Sequence, residues 1–345
     1  MPNGSTLGSD ESRLPTTVPR SLSNSTLEML RNEKLQTVVP IIYLFIFIVS
    51  IFLNSISMWI LCANARPKTP TIIFAINLVI NDLLYTVTLP FQVVYHMSGN
   101  NWPFGSVFCS IVTVLFYGNM HCSIWTMMSI SVERYLKIVH PLRSKSLTTN
   151  TTALVTCLSI WAFVLMIDSP YMYTNLTFHV QELKIFTCFD VLPKDMFPSR
   201  THFYVYFGSS AALTFFLPMT VMAICYISII TRLLRSPPRQ LKETKLQIIC
   251  LIVALLTVFL GCFLPSNILT ILHLIYSRQN RTLYVEYKFS LAFSGLNCCL
   301  DPFVYYFGSK EFRKNVEKTL FFCTMTNVLD DNNTSNMSEH SIPLT

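Results

Sequence analysis

Two carboxylates, Asp82 and Asp301, stand inside long apolar stretches of this chain, and a third such stretch ends in the adjacent acid and base Glu133-Arg134. Acidic residues within a bilayer are costly and are usually kept for function. Asn54, Asn119, Ser123 and Asn297 fall at similar depths in their stretches. Two readings fit this set. Asp82, Asn119, Ser123, Asn297 and Asp301 could ring a polar cavity that holds a water cluster or one hard cation such as sodium. The same groups could instead form a hydrogen-bond network that only joins helices. Enzyme chemistry is not expected, because no Ser–His, Cys–His or metal-ligand constellation lines up at one depth. No CxxC pair with zinc spacing occurs, and no cofactor is called for beyond that ion.

The elements that must position these groups are membrane spans. The chain is 52% hydrophobic and 12% charged, against about 25% charged in a typical soluble domain. The central stretch is Phe108 to Val139, which starts beside Cys109 and ends in Glu133-Arg134-Tyr135. From Cys109 to Arg134 a helix would be roughly 37 Å long, enough to cross a hydrocarbon core of about 30 Å. Six further stretches read the same way: 38–62, 71–97, 152–173, 202–234, 246–275 and 283–307. The expected fold is an all-α membrane bundle of seven spans over 38–308. A polar tail over 1–37 reads as disordered. Residues 309–345 read as a short amphipathic cytoplasmic helix over 310–322 followed by a polar tail. The first span would serve as an uncleaved anchor, since the tail lacks a signal-peptide core. Phe186-Thr187-Cys188-Phe189 alternates like one strand of a hairpin, and Trp102 reads as an interfacial anchor.

Basic residues orient the bundle. Arg66, Lys68, Lys137, Arg143, Lys145 and the cluster Arg232 to Lys245 follow spans one, three and five. The positive-inside rule puts those loops in the cytoplasm and the amino terminus outside. Net charge is +7, but its short clusters between apolar runs match anionic lipid and no nucleic-acid footprint. Sequons at Asn3, Asn24, Asn175 and Asn280 then face outward as glycosylation sites.

Taken in order, these residues make the chain similar to the rhodopsin-like family of G-protein-coupled receptors. The resemblance is carried by Asn54, Leu78, Asp82, Cys109, Glu133-Arg134-Tyr135, Trp161, Pro218, Tyr226, Phe259, Cys262, Pro265, Asp301-Pro302 and Tyr305. It covers nearly everything from Val38 to Phe322. The ending of span seven resembles the purinoceptor-type branch, whose members bind nucleotides, lysophospholipids or lipid–peptide conjugates. The resemblance implies a plasma-membrane receptor for an extracellular, anionic small molecule. It also implies a heterotrimeric G protein as partner, first of the twelve/thirteen class and then of the inhibitory class. Arrestin and receptor kinases would act on the Ser/Thr tail. An ion-coupled transporter or channel using the acidic residues is the alternative.

Specific roles follow from that likeness. Glu133, Arg134, Tyr135, Tyr226 and Tyr305 would couple to the G protein, with Arg134 held at rest by Glu133 and by groups on span six. Phe259, Cys262, Phe263, Pro265, Asp301 and Pro302 would form the activation switch, with Pro218, Pro265 and Pro302 as hinges. Cys109 and Cys188 are the only cysteines on the expected outer face, where an oxidising compartment favours joining them. Ligand contacts are expected from Tyr95, His96, Tyr117, Arg200, His202, Tyr206, Asn267, Thr270, Tyr287 and Lys288. Lys184, Arg200 and Lys288 would add positive potential. Cys323, after Phe321-Phe322, would take a palmitoyl chain. Phe263 stands where the family has a tryptophan, and Leu53 where it often has a glycine. Asn267 and Thr270 stand where nucleotide receptors carry a histidine and a basic residue, and no second outer cysteine pair is present. These last departures count against a nucleotide.

Overall fold

The computed structural model describes residues 24–63, 69–190, 197, 199–235, 242–277, 283–309 and 312–317. Among them, six helices are long and apolar enough to cross a membrane: Glu33–Cys62, Pro70–Met97, Ser106–Val139, Asn150–Tyr173, Thr201–Arg235 and Lys245–His273. The seventh crossing is made of two shorter helices in series, Tyr284–Ser294 and Asn297–Gly308. The expected seven-span bundle therefore stands, with its last span divided. The third span packs against the second, fourth and fifth and is the axis of the bundle. The first span shows how sequence sets burial. Ile41, Phe45, Ile48, Phe52, Ile56 and Trp59 are exposed at helical spacing, while Ser50, Asn54 and Ser57 are buried. With lipid as solvent, the apolar stripe turns outward and the polar one inward.

The prolines shape the helices locally. Pro218 and Pro265 each lack the N–H that would close a helical turn. In both spans a π-helical turn lies just before the proline, Ala212–Phe216 and Phe259–Phe263. Such turns absorb the extra carbonyl and are frequent at working sites. The break at Gly295-Leu296 has a packing cause. A side chain at Gly295 would run into the Tyr85 ring and hydroxyl and into the Ala292 carbonyl. Glycine there lets span seven close on span two.

The outer face departs from expectation in three places. The stretch read as a disordered tail is helical from Asn24 to Leu30, and the first span begins at Glu33 rather than Val38. Met29, Leu30 and Leu35 explain this by being buried against Tyr284 and Val180. Asn100 donates to the Leu30 carbonyl at 2.9 Å. Trp102 is no lipid-interface anchor; it is 2% exposed, ringed by Tyr95, Phe104 and Phe108. The expected hairpin is present, pairing β1 (Thr177–Val180) antiparallel to β2 (Ile185–Cys188), with Thr177 opposite Cys188. Cys109 and Cys188 are joined, with Cα atoms 5.8 Å apart. The disulfide ties the end of β2 to the start of span three. Of the amphipathic helix, residues 312–317 are described as helical, with Phe312 buried. Asn3, Asn280 and Cys323 lie outside the described residues, as do the side chains of Asn24 and Arg200.

Gly295→Ala should lower the melting temperature of the detergent-solubilised protein, since overpacking costs ~1–3 kcal/mol. Tyr85→Phe in the same chain should recover part of that loss. The Tyr85 hydroxyl has no hydrogen-bond partner, so its removal alone should cost little.

Candidate functional site

The outer half of the bundle holds a small chamber. Tyr43, Gln92, Thr113, Phe116, Tyr117, Lys288 and Leu291 line it, roofed by Cys188 and Phe189 of the second outer loop. The roof is fastened by Asp190, two residues beyond the disulfide. Its carboxylate pairs with the Lys288 ammonium and accepts hydrogen bonds from the Tyr95 and Tyr284 hydroxyls. The Asp190 side chain is 3% exposed and that of Lys288 14%. Burial pushes the Asp190 carboxyl up, but the Lys288 ammonium and then His96 more than offset it. The carboxyl is held below its usual range.

The expected ligand residues divide. Tyr117 and Tyr287 share a hydrogen bond at 2.8 Å across the chamber, and Lys288 reaches the roof. Tyr95 is engaged by Asp190. His96 is buried and bonds Asn100 at 2.7 Å, so it serves the dock of the amino-terminal helix. Tyr206 donates to the Ile167 carbonyl at 2.8 Å, bridging spans five and four. Asn267 and Thr270 turn back on their own helix, donating to the carbonyls of Phe263 and Ser266. His202 is exposed and bonds Ser199 at 2.7 Å, where it helps start span five outside the chamber. Lys184 is likewise exposed, at the hairpin turn. Asn175 is exposed too, and its Oδ1 holds the Thr177 N–H and hydroxyl.

Below the chamber lies the polar cluster. Asn119 donates to Asp82 at 3.2 Å and Tyr305 to its other oxygen at 3.4 Å. Ser123 receives Asn81 at 2.9 Å and Asn297 at 3.3 Å. Asn54 sits apart, bridging Ser50 and the Cys298 carbonyl. Asp301 is fully buried, and neither of its oxygens has a hydrogen-bond partner. Oxygen donors of this kind are what hard cations take. Beside the cluster, Phe263 is fully buried and meets Phe259 edge-on, and Phe259 stacks on Phe215 at 5.0 Å.

At the inner end, Arg134 opens onto a crevice lined by Thr71, Lys137, Gln247, Ile248, Leu251 and Phe307. Arg134 meets the expected Glu133 but finds its closer partners elsewhere. Glu133 lies 3.9 Å from its Nε, but the Glu133 carboxylate is taken by Lys137 at 2.6 Å and by the Thr71 hydroxyl at 2.9 Å. Arg134 donates instead to Thr71 at 3.0 Å and to the Gly308 carbonyl. Its hydrogen-bond partners belong to spans two and seven, not six. Tyr226 shares a hydrogen bond with Ser131 at 2.6 Å, and with Tyr305 on Asp82 neither tyrosine supports the arginine. Tyr135 reaches His140 at 3.0 Å.

Sequence reasoning missed Asp190, His273 and the pair His121–Asp168. Asp190 could have been found from its place two residues after a cysteine expected to be pinned over the pocket. His273 stacks on Tyr287 with rings 5.8 Å apart and leaves Nδ1 without a partner. Asp168 is a third acidic residue inside a span, overlooked beside Trp161 and Pro170. His121 was overlooked because a histidine does not register as an interrupting charge.

An aromatic-lined outer chamber under a disulfide-pinned hairpin, a polar centre and an arginine-tipped inner crevice define a membrane receptor that spans the bilayer seven times. Residues 53–305 match the 7 transmembrane receptor (rhodopsin family) profile, and the chain belongs to that family. It is 41% identical over 292 residues to P2Y purinoceptor 8 of Gallus gallus, covering 84% of this chain and 82% of that one. It is 40% identical over 307 residues to the S-geranylgeranyl-glutathione receptor P2RY8 of Homo sapiens, with 88% and 85% covered. Proteinase-activated receptor 3 of Homo sapiens is 38% identical over 291 residues, with 84% and 76% covered. The purinoceptor-type likeness is thus borne out. These relatives are receptors, not enzymes or transporters. As a family member the chain binds an extracellular ligand and a heterotrimeric G protein.

The depressed carboxyl of Asp190 fixes a pH window. Its folded value lies below the unfolded one of about 3.9, so the stabilisation it gives is complete above that value and is lost as pH falls through the folded value. The difference in melting temperature between the parent and Asp190→Asn should stay constant from about pH 8 to about pH 5 and shrink below about pH 4.

Proposed function

We propose that an extracellular anionic small molecule activates this receptor by taking Lys288 from Asp190, and that Arg134 then receives a G protein. One observation carries the reading: the chamber's lysine is already neutralised by a carboxylate of the loop that roofs it. An anionic ligand head that bonds Lys288, Tyr95 and Tyr284 releases Asp190 and with it the strap. A lipid–glutathione conjugate comes first as ligand class, in keeping with the name of the human relative. A lysophospholipid comes next. A nucleotide comes last, because Asn267 and Thr270 offer no cation and spend their donors on their own helix.

Freed from the roof, movement at Tyr117 and Tyr287 passes down span three and along the π-helical turn at Phe259–Phe263. Arg134 leaves Thr71 and Gly308, and Tyr226 and Tyr305 swing from Ser131 and Asp82 to support it. The crevice then accepts the carboxyl-terminal helix of a G protein, a helix-in-groove contact. The twelve/thirteen class is the first expectation and the inhibitory class the second. The polar cluster holds one sodium ion through Asp82, Ser123 and Asp301, with Asn119 and Asn297 beside it, and the ion favours the resting arrangement. The receptor sits in the plasma membrane with its amino terminus outside. Glycans are carried at Asn3, Asn24, Asn175 and Asn280, and a palmitoyl chain at Cys323. Arrestin and receptor kinases engage the Ser/Thr tail.

The test uses full-length receptor in cells carrying dissociation sensors for each G-protein class, challenged with S-geranylgeranyl-glutathione, a lysophospholipid and a nucleoside diphosphate. Arg134→Ala should abolish the response at equal surface level. Lys288→Gln should raise the half-maximal concentration about tenfold or more, as expected for a lost charge-assisted hydrogen bond. A response unchanged by Lys288→Gln would remove the anion-exchange reading. Silence of every sensor to every probe would remove the ligand assignment. In membranes, sodium should weaken agonist binding to the parent and leave Asp82→Asn unaffected; equal sodium sensitivity in both would exclude the ion site.

A further inference from the structure

The fourth span carries Asp168 deep in the bundle, with a side chain 0% exposed and neither carboxylate oxygen in a hydrogen bond. His121 of the third span faces it, 6% exposed, with Nδ1 3.2 Å from Oδ1. Gly118 lies beside the pair: a methyl group there would sit 3.7 Å from the other oxygen, Oδ2, at ordinary van der Waals distance.

Above the pair stands an aromatic stack that leads to the roof. The Tyr117 ring tilts over His121 at 6.5 Å and meets Tyr171 at 5.4 Å. Phe189 packs edge-on against both, at 5.3 and 5.2 Å. Phe189 itself is fixed on one side by Cys188 and on the other by Asp190.

Stability alone does not account for such a pair. Replacing a buried ion pair with apolar side chains of similar size is often neutral or stabilising, while removing one partner is costly. A histidine and a carboxylate inside lipid therefore point to a positional requirement. We propose that His121 and Asp168 are positioning residues, a polar clasp between the third and fourth spans that holds the Tyr117–Tyr171 floor of the chamber under the loop strap. The clasp fixes the angle at which Tyr117 meets Tyr287 and the seat on which Phe189 rests. This rests on the reading that ligand enters the outer chamber.

The test is hydrogen–deuterium exchange on the full-length receptor in detergent, which needs neither ligand nor G protein. Its failure is therefore separate from a failed ligand response. In His121→Leu/Asp168→Leu the melting temperature should be no lower than the parent's. Amides from Tyr171 to Asp190 should exchange about tenfold faster, the opening expected when one buried polar tie is lost. Parent-like protection of that segment would overturn the proposal. Where the double variant cannot be obtained, His121→Gln against His121→Leu decides the point. Glutamine keeps a donor for Asp168 and should hold protection near the parent's, while leucine should not. Equal protection in the two would overturn the clasp.

Discussion

Hydrocarbon offers no partner to a polar atom, so every such atom in the bilayer must find one within the protein. In this receptor that requirement converges on one helix. Along the third span, Tyr117, Asn119, His121, Ser123, Ser131 and Glu133 each meet a different neighbour. They reach Tyr287, Asp82, Asp168, Asn81, Tyr226 and Thr71, which belong to spans seven, two, four, two, five and two. Six polar contacts on one rod hold four other spans at defined heights. Five of the six are hydrogen bonds, and the sixth, His121 to Asp168, is a close approach at 3.2 Å.

The fold was legible because lipid imposes a crude code. Long apolar runs, basic loops and a pair of outer cysteines need no fine packing to be read. The seventh span shows where that code stops. Its division at Gly295 depends on Tyr85, more than two hundred residues away in sequence, and no local propensity reports such a contact. The amino-terminal helix failed for a related reason. Asn24 to Leu30 is too short to be stable alone, and it exists because Met29 and Leu30 find buried places beside Tyr284 and Val180.

The site was legible in its motifs and poorly so in its chamber. Asp82, Arg134 and Tyr305 belong to ordered patterns that can be named from the sequence. The chamber is built instead by which face of each helix turns inward, and by loops. His202 looked polar and well placed, yet it lies exposed in the first turn of span five, bonded to Ser199. Asn267 and Thr270 face their own backbone, a common fate of short polar side chains in lipid. Arg134 illustrates a different limit. Its motif names the residue, but its hydrogen-bond partners, Thr71 and the Gly308 carbonyl, are a matter of tertiary contact. The arginine is anchored where span two meets the end of span seven.

The pattern of unmet polar atoms ties these parts together. Buried polar groups are nearly always paired, and an exception asks for a reason. Among the described residues the bare side-chain atoms can be placed one by one. They fall on Asp168 and His121 beneath the chamber floor, on Tyr85 at the break in span seven, and on Asp301 in the polar centre. Others are Asn54 in span one, Trp125 against Phe163, His273 against Tyr287 and the Nε of Arg134 at the inner end. A fully satisfied network would lock the bundle in one arrangement, since every displacement would break a bond and make none. An open donor or acceptor in lipid is costly, so at each of these groups a change of partner would gain a bond.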